Sequence, residues 1–322
     1  CPDIKKSGGI PVLWPFANRI KNGKFTFQGK EINLFSEKDG KLAPVKGCKD
    51  DGKGNIYHGM VRYEKWDIEE IGSDSQGVFI RLSIDTKDYP NIEEFFGKSK
   101  IIITYRFKDV KLTIETKVEN KDTKDMIMSL AYHPWFNTPG KSSWQVTLPA
   151  FVRWQAIDQV PTGILEDVAG TDVDLRSGVI LQDKVYDDVL TGLEFENGFS
   201  TTTLTSPDGA LAISVKQDNS FQHTVFYVPA DKNVVCIEPQ TSSTDAFNLY
   251  NQGINEATPI ILKPNQAYTS SISIKVERPK LQVEHSPQQA RAPPQDKDTC
   301  SGPLILTKKA PGAPHLTNEE DK

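Results

Sequence analysis

The stretch Lys-Leu-Thr-Ile-Glu-Thr-Lys-Val, residues 111–118, decides the fold class. Its charged residues alternate with residues that can face a core, which are Leu112, Ile114, Thr116 and Val118. This period of two is typical of a half-buried antiparallel strand. The same alternation recurs at residues 78–84, 211–215 and 272–276. No long stretch has a 3.6-residue period, and only residues 91–96 fit a helical turn. The sequence therefore predicts a large antiparallel β-sandwich.

Turn-forming residues separate the predicted strands. They are Asn22-Gly23, Gln28-Gly29, Asp39-Gly40, Asn197-Gly198 and Pro207-Asp208-Gly209. Such pairs accept the positive φ angles of tight hairpin turns. Asn197-Gly198 lies between residues 193–195 and Phe199, so we expect a hairpin there.

The composition excludes several classes of partner. With 322 residues, 37% of them hydrophobic, the chain can fill one large β domain or two smaller ones. Its net charge of -5 argues against nucleic acid and anionic membrane surfaces, because both usually require a basic patch. No apolar run approaches the roughly 20 residues of a membrane-spanning helix. The sequence does not determine the oligomeric state.

The composition changes near residue 279. Residues 1–278 carry the strand patterns and form the predicted β-sandwich domain, whereas residues 279–322 are rich in Pro, Gln and charged residues. Such a segment cannot bury a core, so we predict a mostly disordered tail. The chain starts at Cys1 rather than Met, which indicates a processed or incomplete N-terminus.

The four cysteines show no metal-ligand spacing; they are Cys1, Cys48, Cys236 and Cys300. We interpret them as reduced thiols of a cytoplasmic protein. A lipid anchor on Cys1 is the alternative.

Two histidines of the domain have unusual neighbours. His58 lies in Asn-Ile-Tyr-His-Gly at residues 55–59, and His133 follows an apolar run and precedes Pro134 and Trp135. A proline has no N–H for a strand ladder, so Pro134 should end a strand and leave His133 at the rim of a sheet. Rims and loops are where sites are built. Taken alone, a histidine at a strand end is more often structural than catalytic.

Charged residues inside apolar segments are the second signal. Glu238 follows Val-Val-Cys-Ile and precedes Pro239, which predicts a carboxylate at a strand end. A buried charge is costly unless it is paired or functional. Asp187 follows Val-Tyr, and Arg19 lies within Pro-Phe-Ala-Asn-Arg-Ile. An acidic turn and a surface ion pair are the simpler interpretations of these two.

The order of these elements resembles the aldose 1-epimerase, or galactose mutarotase, family. The matching elements are Asn18-Arg19-Ile20, the residue 55–59 segment, Tyr132-His133-Pro134-Trp135-Phe136-Asn137, Tyr186-Asp187-Asp188, Glu238-Pro239-Gln240-Thr241 and Asp245-Ala246-Phe247-Asn248. The resemblance covers about residues 8–276 and implies a β-supersandwich fold. Family members usually have further strands before the Gly-Gly-Ile-Pro segment that starts at Gly8. Either the sequence is a fragment, or the tail or a partner chain covers the resulting gap.

The resemblance implies an enzyme that interconverts the α and β anomers of a free aldohexose. Glu238 resembles the catalytic base and His133 the acid that serves the ring oxygen. Four further residues resemble sugar ligands, namely His58, Arg19, Asp187 and Trp135. Trp135 fits a core position equally well. We expect no metal and no cofactor, because the sequence has neither metal-ligand spacing nor a glycine-rich phosphate loop.

Three alternatives remain at this stage. A hexose 6-phosphate substrate would require basic residues around the pocket, for which Arg62, Arg81 and Arg153 are available. A non-catalytic carbohydrate-binding β-sandwich could keep the aromatic residues, but it would not need His133 and Glu238. An inactive, truncated product is the third alternative.

Overall fold

The computed structural model describes residues 8–278, apart from the side chain of Lys38. Within this range the chain forms 26 strands, numbered β1–β26 in chain order. The first thirteen are β1 (Val12–Leu13), β2 (Arg19–Ile20), β3 (Lys24–Phe27), β4 (Lys30–Asn33), β5 (Phe35–Lys38), β6 (Lys41–Pro44), β7 (Lys49–Asp50), β8 (Ile56–Tyr57), β9 (Asp67–Asp74), β10 (Gly77–Asp85), β11 (Ser99–Lys108), β12 (Lys111–Asn120) and β13 (Met126–Met128).

The second half of the domain supplies the remaining strands. They are β14 (Ala131–Tyr132), β15 (Trp135–Asn137), β16 (Gln145–Thr147), β17 (Ala150–Ile157), β18 (Val160–Asp167), β19 (Val179–Ile180), β20 (Tyr186–Leu193), β21 (Phe199–Thr205), β22 (Ala212–Asp218), β23 (His223–Val228), β24 (Val234–Gln240), β25 (Ile260–Leu262) and β26 (Ala267–Glu277).

Two large antiparallel sheets contain most of these strands. One has nine strands in the order β19-β16-β21-β22-β26-β12-β11-β10-β9. The other has eight, in the order β1-β14-β24-β23-β20-β17-β18, with β15 also paired to β24. The four segments with predicted alternation form β10, β12, β22 and β26, all in the nine-stranded sheet.

The inner faces of the two sheets pack against each other. Val215 of β22 and Ile274 of β26 share a buried cluster with Phe226 of β23 and Ile237 of β24. A second cluster includes Ile114 of β12 and extends to the first 60 residues of the domain. Because alternate side chains of each strand enter these clusters, the period of two becomes a core between layers. The predicted antiparallel β-sandwich is confirmed.

The predicted turns form, with one correction. Gln28-Gly29 joins β3 to β4 and Asp39-Gly40 joins β5 to β6, with positive φ at both residues of each pair. Asn197-Gly198 also turns tightly, through a bridge between Glu196 and Phe199. The expected hairpin is limited to this one bridge, because β20 and β21 on either side of the turn join different sheets. A local turn signal carries no information about which sheet the next strand enters.

Two short α-helices lie in the described domain. α1 (Pro90–Phe96) matches the predicted helical turn, and α2 (Ala246–Asn251) was not predicted. Between residues 8 and 278 no helix is long and apolar enough to cross a membrane. The predicted tail, its boundary with the domain and the alternative anchor on Cys1 lie outside the described residues. Cys48 and Cys236 are free thiols.

Candidate active site

Strand register places His133 opposite Glu238. On β24, Gln240 faces Ala131 of β14, and Cys236 faces Trp135 of β15. The two registers are continuous across the break between β14 and β15, so His133 falls opposite Glu238. The His133 Nε2 atom lies 3.1 Å from Glu238 Oε1, and the two residues expose only 6% and 2% of their surface.

A proline follows each member of this pair in the sequence. Pro134 separates β14 from β15, as the sequence predicted. The prediction that Glu238 ends its strand is wrong, since β24 continues through Pro239 to Gln240. The same register places Pro239 opposite Tyr132 of β14, where a proline has no N–H to donate to the ladder.

Burial shifts the pKa values of both partners towards the neutral forms. It raises the pKa of Glu238 well above the usual value, and the nearby Asp187 carboxylate adds to this effect. It lowers the pKa of His133 to about 3, and the charge of Arg62 acts in the same direction. Burial therefore favours a neutral imidazole beside a neutral carboxyl group across the 3.1 Å contact.

His58 reaches the same place from a strained loop. Its φ of 65° is unusual for a residue with a side chain, and its N–H donates to the Asn18 carbonyl at 2.7 Å. The ring of His58 contacts the ring of His133 edge-on, with centroids 5.4 Å apart. Burial is the main reason that the pKa of His58 lies well below its usual value. The charges of His133 and Arg62 lower it further. His58 is therefore held as a neutral imidazole.

A chain of polar contacts connects Arg19 to Asp187. The guanidinium Nε of Arg19 donates to Asp51 Oδ2 at 3.2 Å, and its Nη2 donates to Gln159 Oε1 at 2.7 Å. The Gln159 amide Nε2 in turn donates to Asp187 Oδ2. Loss of hydration raises the pKa of Asp187, while Arg19 and Gln159 oppose the shift. Gln159 thus orients both charged groups through a single side chain.

Trp135 lies beside the pair rather than in the core. It is half-buried and stacks on the His133 ring, with centroids 5.1 Å apart and planes 5° from parallel. Its Nε1 is buried with no hydrogen-bond partner in the described structure. The alternative of a simple core residue is therefore less consistent with the structure than a position at the cavity wall.

All six predicted site residues line one cavity of about 260 Å³. They share this wall with residues that the sequence analysis did not select for the site, which are Asn18, Tyr57, Arg62, Gln159, Val225 and Tyr227. Gln159 sits in the tight turn between β17 and β18 with a φ of 68°. The pair Asp158-Gln159 between Ile157 and Val160 was a turn signal, but nothing in it indicated a polar bridge.

Other residues considered from the sequence lie elsewhere. His223 is fully buried between Trp154 and Thr258, outside the cavity wall. Arg153 pairs with Glu166 at 2.8 Å, and Arg81 pairs with Glu70 on the nine-stranded sheet. Of the three arginines available for a phosphate, only Arg62 therefore lines the cavity.

The model of the aldose 1-epimerase family matches residues 4–275. The chain belongs to the aldose 1-epimerase family. Among curated relatives, galactose mutarotase from Mus musculus is 27% identical over 193 residues, covering 57% of this chain and 49% of that protein. Galactose mutarotase from Rattus norvegicus is 30% identical over 181 residues, covering 53% and 46%. The matched regions thus span about half the length of these relatives.

Solved structures share the fold of this family member. A galactose mutarotase-like protein from Clostridium acetobutylicum superposes with a TM-score of 0.72 at 21% identity, covering 84% of this chain and 79% of the other. A galactose 1-epimerase from Lactobacillus acidophilus gives a TM-score of 0.64 at 17% identity, covering 83% and 79%. At such identities the likeness shows the fold alone.

Proposed function

We propose that this member of the aldose 1-epimerase family interconverts the α and β anomers of a free aldohexose. The observation that carries the proposal is the buried contact of 3.1 Å between His133 Nε2 and Glu238 Oε1 at the wall of a cavity. Anomer exchange requires one group to take the proton of the C1 hydroxyl and another to protonate the ring oxygen. A carboxylate and an imidazole, side by side, can serve both atoms of one hemiacetal.

In the proposed reaction Glu238 acts as the base and His133 as the acid. Glu238 takes the proton from the C1 hydroxyl while His133 gives a proton to the ring oxygen, and the C1–O5 bond breaks. The open aldehyde rotates about C1–C2 and presents its other face. The two groups then reverse roles: Glu238 protonates the aldehyde oxygen, and His133 takes the proton of the O5 hydroxyl as the ring closes.

The electrostatics of the pair support such a cycle. Ring opening uses carboxylate and imidazolium, and ring closure uses carboxylic acid and neutral imidazole, so the total number of protons on the pair is constant. Burial favours the second, neutral state. Arg19 and Arg62 favour the Glu238 carboxylate by lowering its pKa, whereas Arg62 disfavours the His133 imidazolium. Because the pair returns to its starting state, no proton has to be exchanged with solvent during turnover.

The remaining residues of the wall are proposed to hold the sugar. Asp187 and Arg19 present an acceptor and donors for vicinal hydroxyls, and Gln159 fixes both of them. His58, as a neutral imidazole, is proposed to donate a hydrogen bond to the reacting end. Trp135 offers an aromatic face to the apolar side of the ring.

One observation favours a second substrate class, a hexose 6-phosphate. Arg62 lines the cavity together with Arg19, and in the described part of the chain it makes no ion pair. A guanidinium facing a ligand cavity suits a phosphate. Against this, Arg81 and Arg153 lie in other ion pairs, so a single additional arginine would carry the phosphate. The free sugar is therefore our first choice.

Polarimetry of freshly dissolved α-D-galactose and α-D-glucose tests the proposal, with Glu238→Gln as the control. Accelerated decay of optical rotation that is lost in the variant would support it. A folded protein with no effect on either sugar, but activity on glucose 6-phosphate, would favour the phosphosugar. Sugar binding without any acceleration would instead identify a binding module. The cytoplasmic location also stays a prediction, which cell fractionation would test.

A further inference from the structure

The Cys236 side chain lies beside the pair of His133 and Glu238. Ligand atoms of His133, Cys236 and Glu238 all lie within 4.8 Å of one another, and all three residues are buried. The spacing of these residues along the chain gives no sign of this cluster. It forms because Cys236 and Glu238 point to the same face of β24, two residues apart, and His133 faces Glu238 from the adjacent segment.

The donor set fits a thiophilic divalent cation. A ring nitrogen, a thiolate sulfur and a carboxylate oxygen are the three ligand types that Zn²⁺ takes in proteins, whereas Mg²⁺ and Ca²⁺ prefer oxygen ligands only. Zinc–ligand distances of about 2.0–2.3 Å put tetrahedral ligand atoms roughly 3.3–3.6 Å apart. Ligand atoms that lie up to 4.8 Å apart would therefore have to approach by about 1.2–1.5 Å, and side-chain rotation can supply this.

Charge balance is compatible with such an ion. Burial raises the pKa of both Cys236 and Glu238, so the ion must displace their protons to solvent when it binds. The resulting thiolate and carboxylate together neutralise a divalent cation, so the complex with a neutral His133 carries no net charge into the buried site. The guanidinium groups of Arg19 and Arg62 oppose a cation here, and the Asp187 carboxylate partly offsets them. The fourth coordination position would be open to the cavity that Glu238 and His133 line.

We propose that His133, Cys236 and Glu238 form a binding site for Zn²⁺ or Cd²⁺, and that the ion inhibits the enzyme. The inhibition rests on the proposed function, because the ion takes the electron pairs that Glu238 and His133 need for proton transfer. The metal site itself does not rest on it. A bound sugar should compete with the ion, since both occupy the same wall of the cavity.

Inhibition by Zn²⁺ in the presence and absence of Cys236→Ala gives the first test. We expect wild-type turnover to fall with added Zn²⁺, to return on addition of a chelator, and to be unaffected by Mg²⁺. Cys236→Ala should retain basal turnover and need about 100-fold more Zn²⁺, since loss of a ligand costs at least as much as loss of its supporting contacts. Cys48→Ala removes the other described free thiol and should leave the inhibition unchanged.

A spectroscopic test uses binding rather than activity. A variant that keeps Cys236 but carries alanine at Cys1, Cys48 and Cys300 should show an ultraviolet thiolate-to-cadmium charge-transfer band that saturates at one equivalent of Cd²⁺. A saturating concentration of the sugar substrate should suppress this band. If Cys236→Ala does not fold, Cys236→Ser replaces it in the inhibition test.

Either of two results would overturn the site. One is Zn²⁺ inhibition of the Cys236 variant at wild-type concentrations, and the other is a Cys236-only protein without the cadmium band. If the protein has no epimerase activity at all, the proposed function fails, but the cadmium band still decides whether the metal site exists.

Discussion

His133 Nε2 lies 3.1 Å from Glu238 Oε1, and neither side chain is open to bulk solvent. The pair comes from two segments 105 positions apart in the chain, brought opposite each other by the register of β15 and β14 against β24. Within the described residues, no other carboxylate lies within ion-pair distance of His133. The 3.1 Å contact is short enough for a hydrogen bond between the imidazole and the carboxyl group.

Substitution of either Glu238 or His133 should lower kcat by as much as substitution of both. We expect Glu238→Gln and His133→Gln each to lower kcat by about 10²–10⁴-fold, with KM changed only a few-fold, because each removes one half of the proton transfer. The double variant should be no slower than the slower single variant, since the groups act as a unit. Initial-rate polarimetry, corrected for spontaneous mutarotation, measures this. Loss in the double variant equal to the product of the single losses would show that the groups act independently.

Gln159 should control sugar affinity rather than turnover. Asparagine tolerates the positive φ of this position but is one methylene too short to contact both Arg19 and Asp187. We expect Gln159→Asn to raise KM about tenfold with little change in kcat, as expected for loss of hydrogen bonds to charged groups. Asp158→Asn is the matched control, because Asp158 shares the turn but pairs outward with Lys53. Equal effects in the two variants would assign the change to the turn instead.

Asp245 should position the Arg19 segment. Its carboxylate accepts the Lys21 N–H at 2.9 Å and the Asn248 amide at 2.7 Å, and its own N–H donates to the Arg19 carbonyl. We expect Asp245→Ala to lower the free energy of unfolding by about 1–3 kcal/mol and to raise KM. Asp245→Asn keeps a hydrogen-bond acceptor and suits the φ of 56°. It should therefore retain most of the stability and most of the sugar affinity. Urea unfolding and KM measurements decide, and an alanine variant as stable as wild type would refute the prediction.

Gly59 should be intolerant of any side chain. A Cβ atom at this position would lie 2.5 Å from the Trp14 backbone nitrogen, so substitution must displace either Trp14 or the neighbouring His58. We expect Gly59→Ala to cost more than about 3 kcal/mol of stability and to reduce activity. Gly54→Ala is the control, since Gly54 also has a positive φ but no atom near its Cβ position. It should cost only about 1 kcal/mol for the strained backbone. Similar costs for the two variants, by thermal unfolding, would contradict the argument.

His223 should make the domain less stable in acid. Burial lowers its pKa from 6.5 to about 3, and its two ring nitrogens already contact Trp154 and Thr258. Below pH 6.5 the unfolded chain therefore binds a proton that the folded chain does not, so stability falls as the pH drops towards 3. The contribution of one such group is at most about 1.4 kcal/mol per pH unit. We expect His223→Gln to be less stable at pH 7. Below pH 6.5 its free energy of unfolding should fall less steeply with decreasing pH, by this amount. Identical slopes in urea unfolding would refute the assignment.

The strand pattern and the choice of site residues followed from local sequence. Residues 111–118 specify a strand because a period of two leaves one face apolar, and this holds in any fold that contains the strand. The sequence also indicated the break at Pro134, because a proline has no N–H wherever it lies in a fold. Glu238 and His133 stood out because a carboxylate in an apolar strand and an imidazole beside a proline are each unusual. Their roles came from the resemblance to a family and stay predictions.

Only the tertiary structure decided which residues meet. The order of strands in the two sheets sets the registers that place His133 against Glu238 and Cys236 beside both, and no local pattern encodes the partner of a strand. The turn at Asn197 was predicted, but the sheet that receives β21 was not, because pairing between distant strands depends on the whole core. Gln159 likewise gained its place between Arg19 and Asp187 from the fold. The sequence by itself therefore determined the elements and the reactive groups, and the tertiary structure determined their distances, burial and pKa values, since these depend on contacts between residues far apart in the chain.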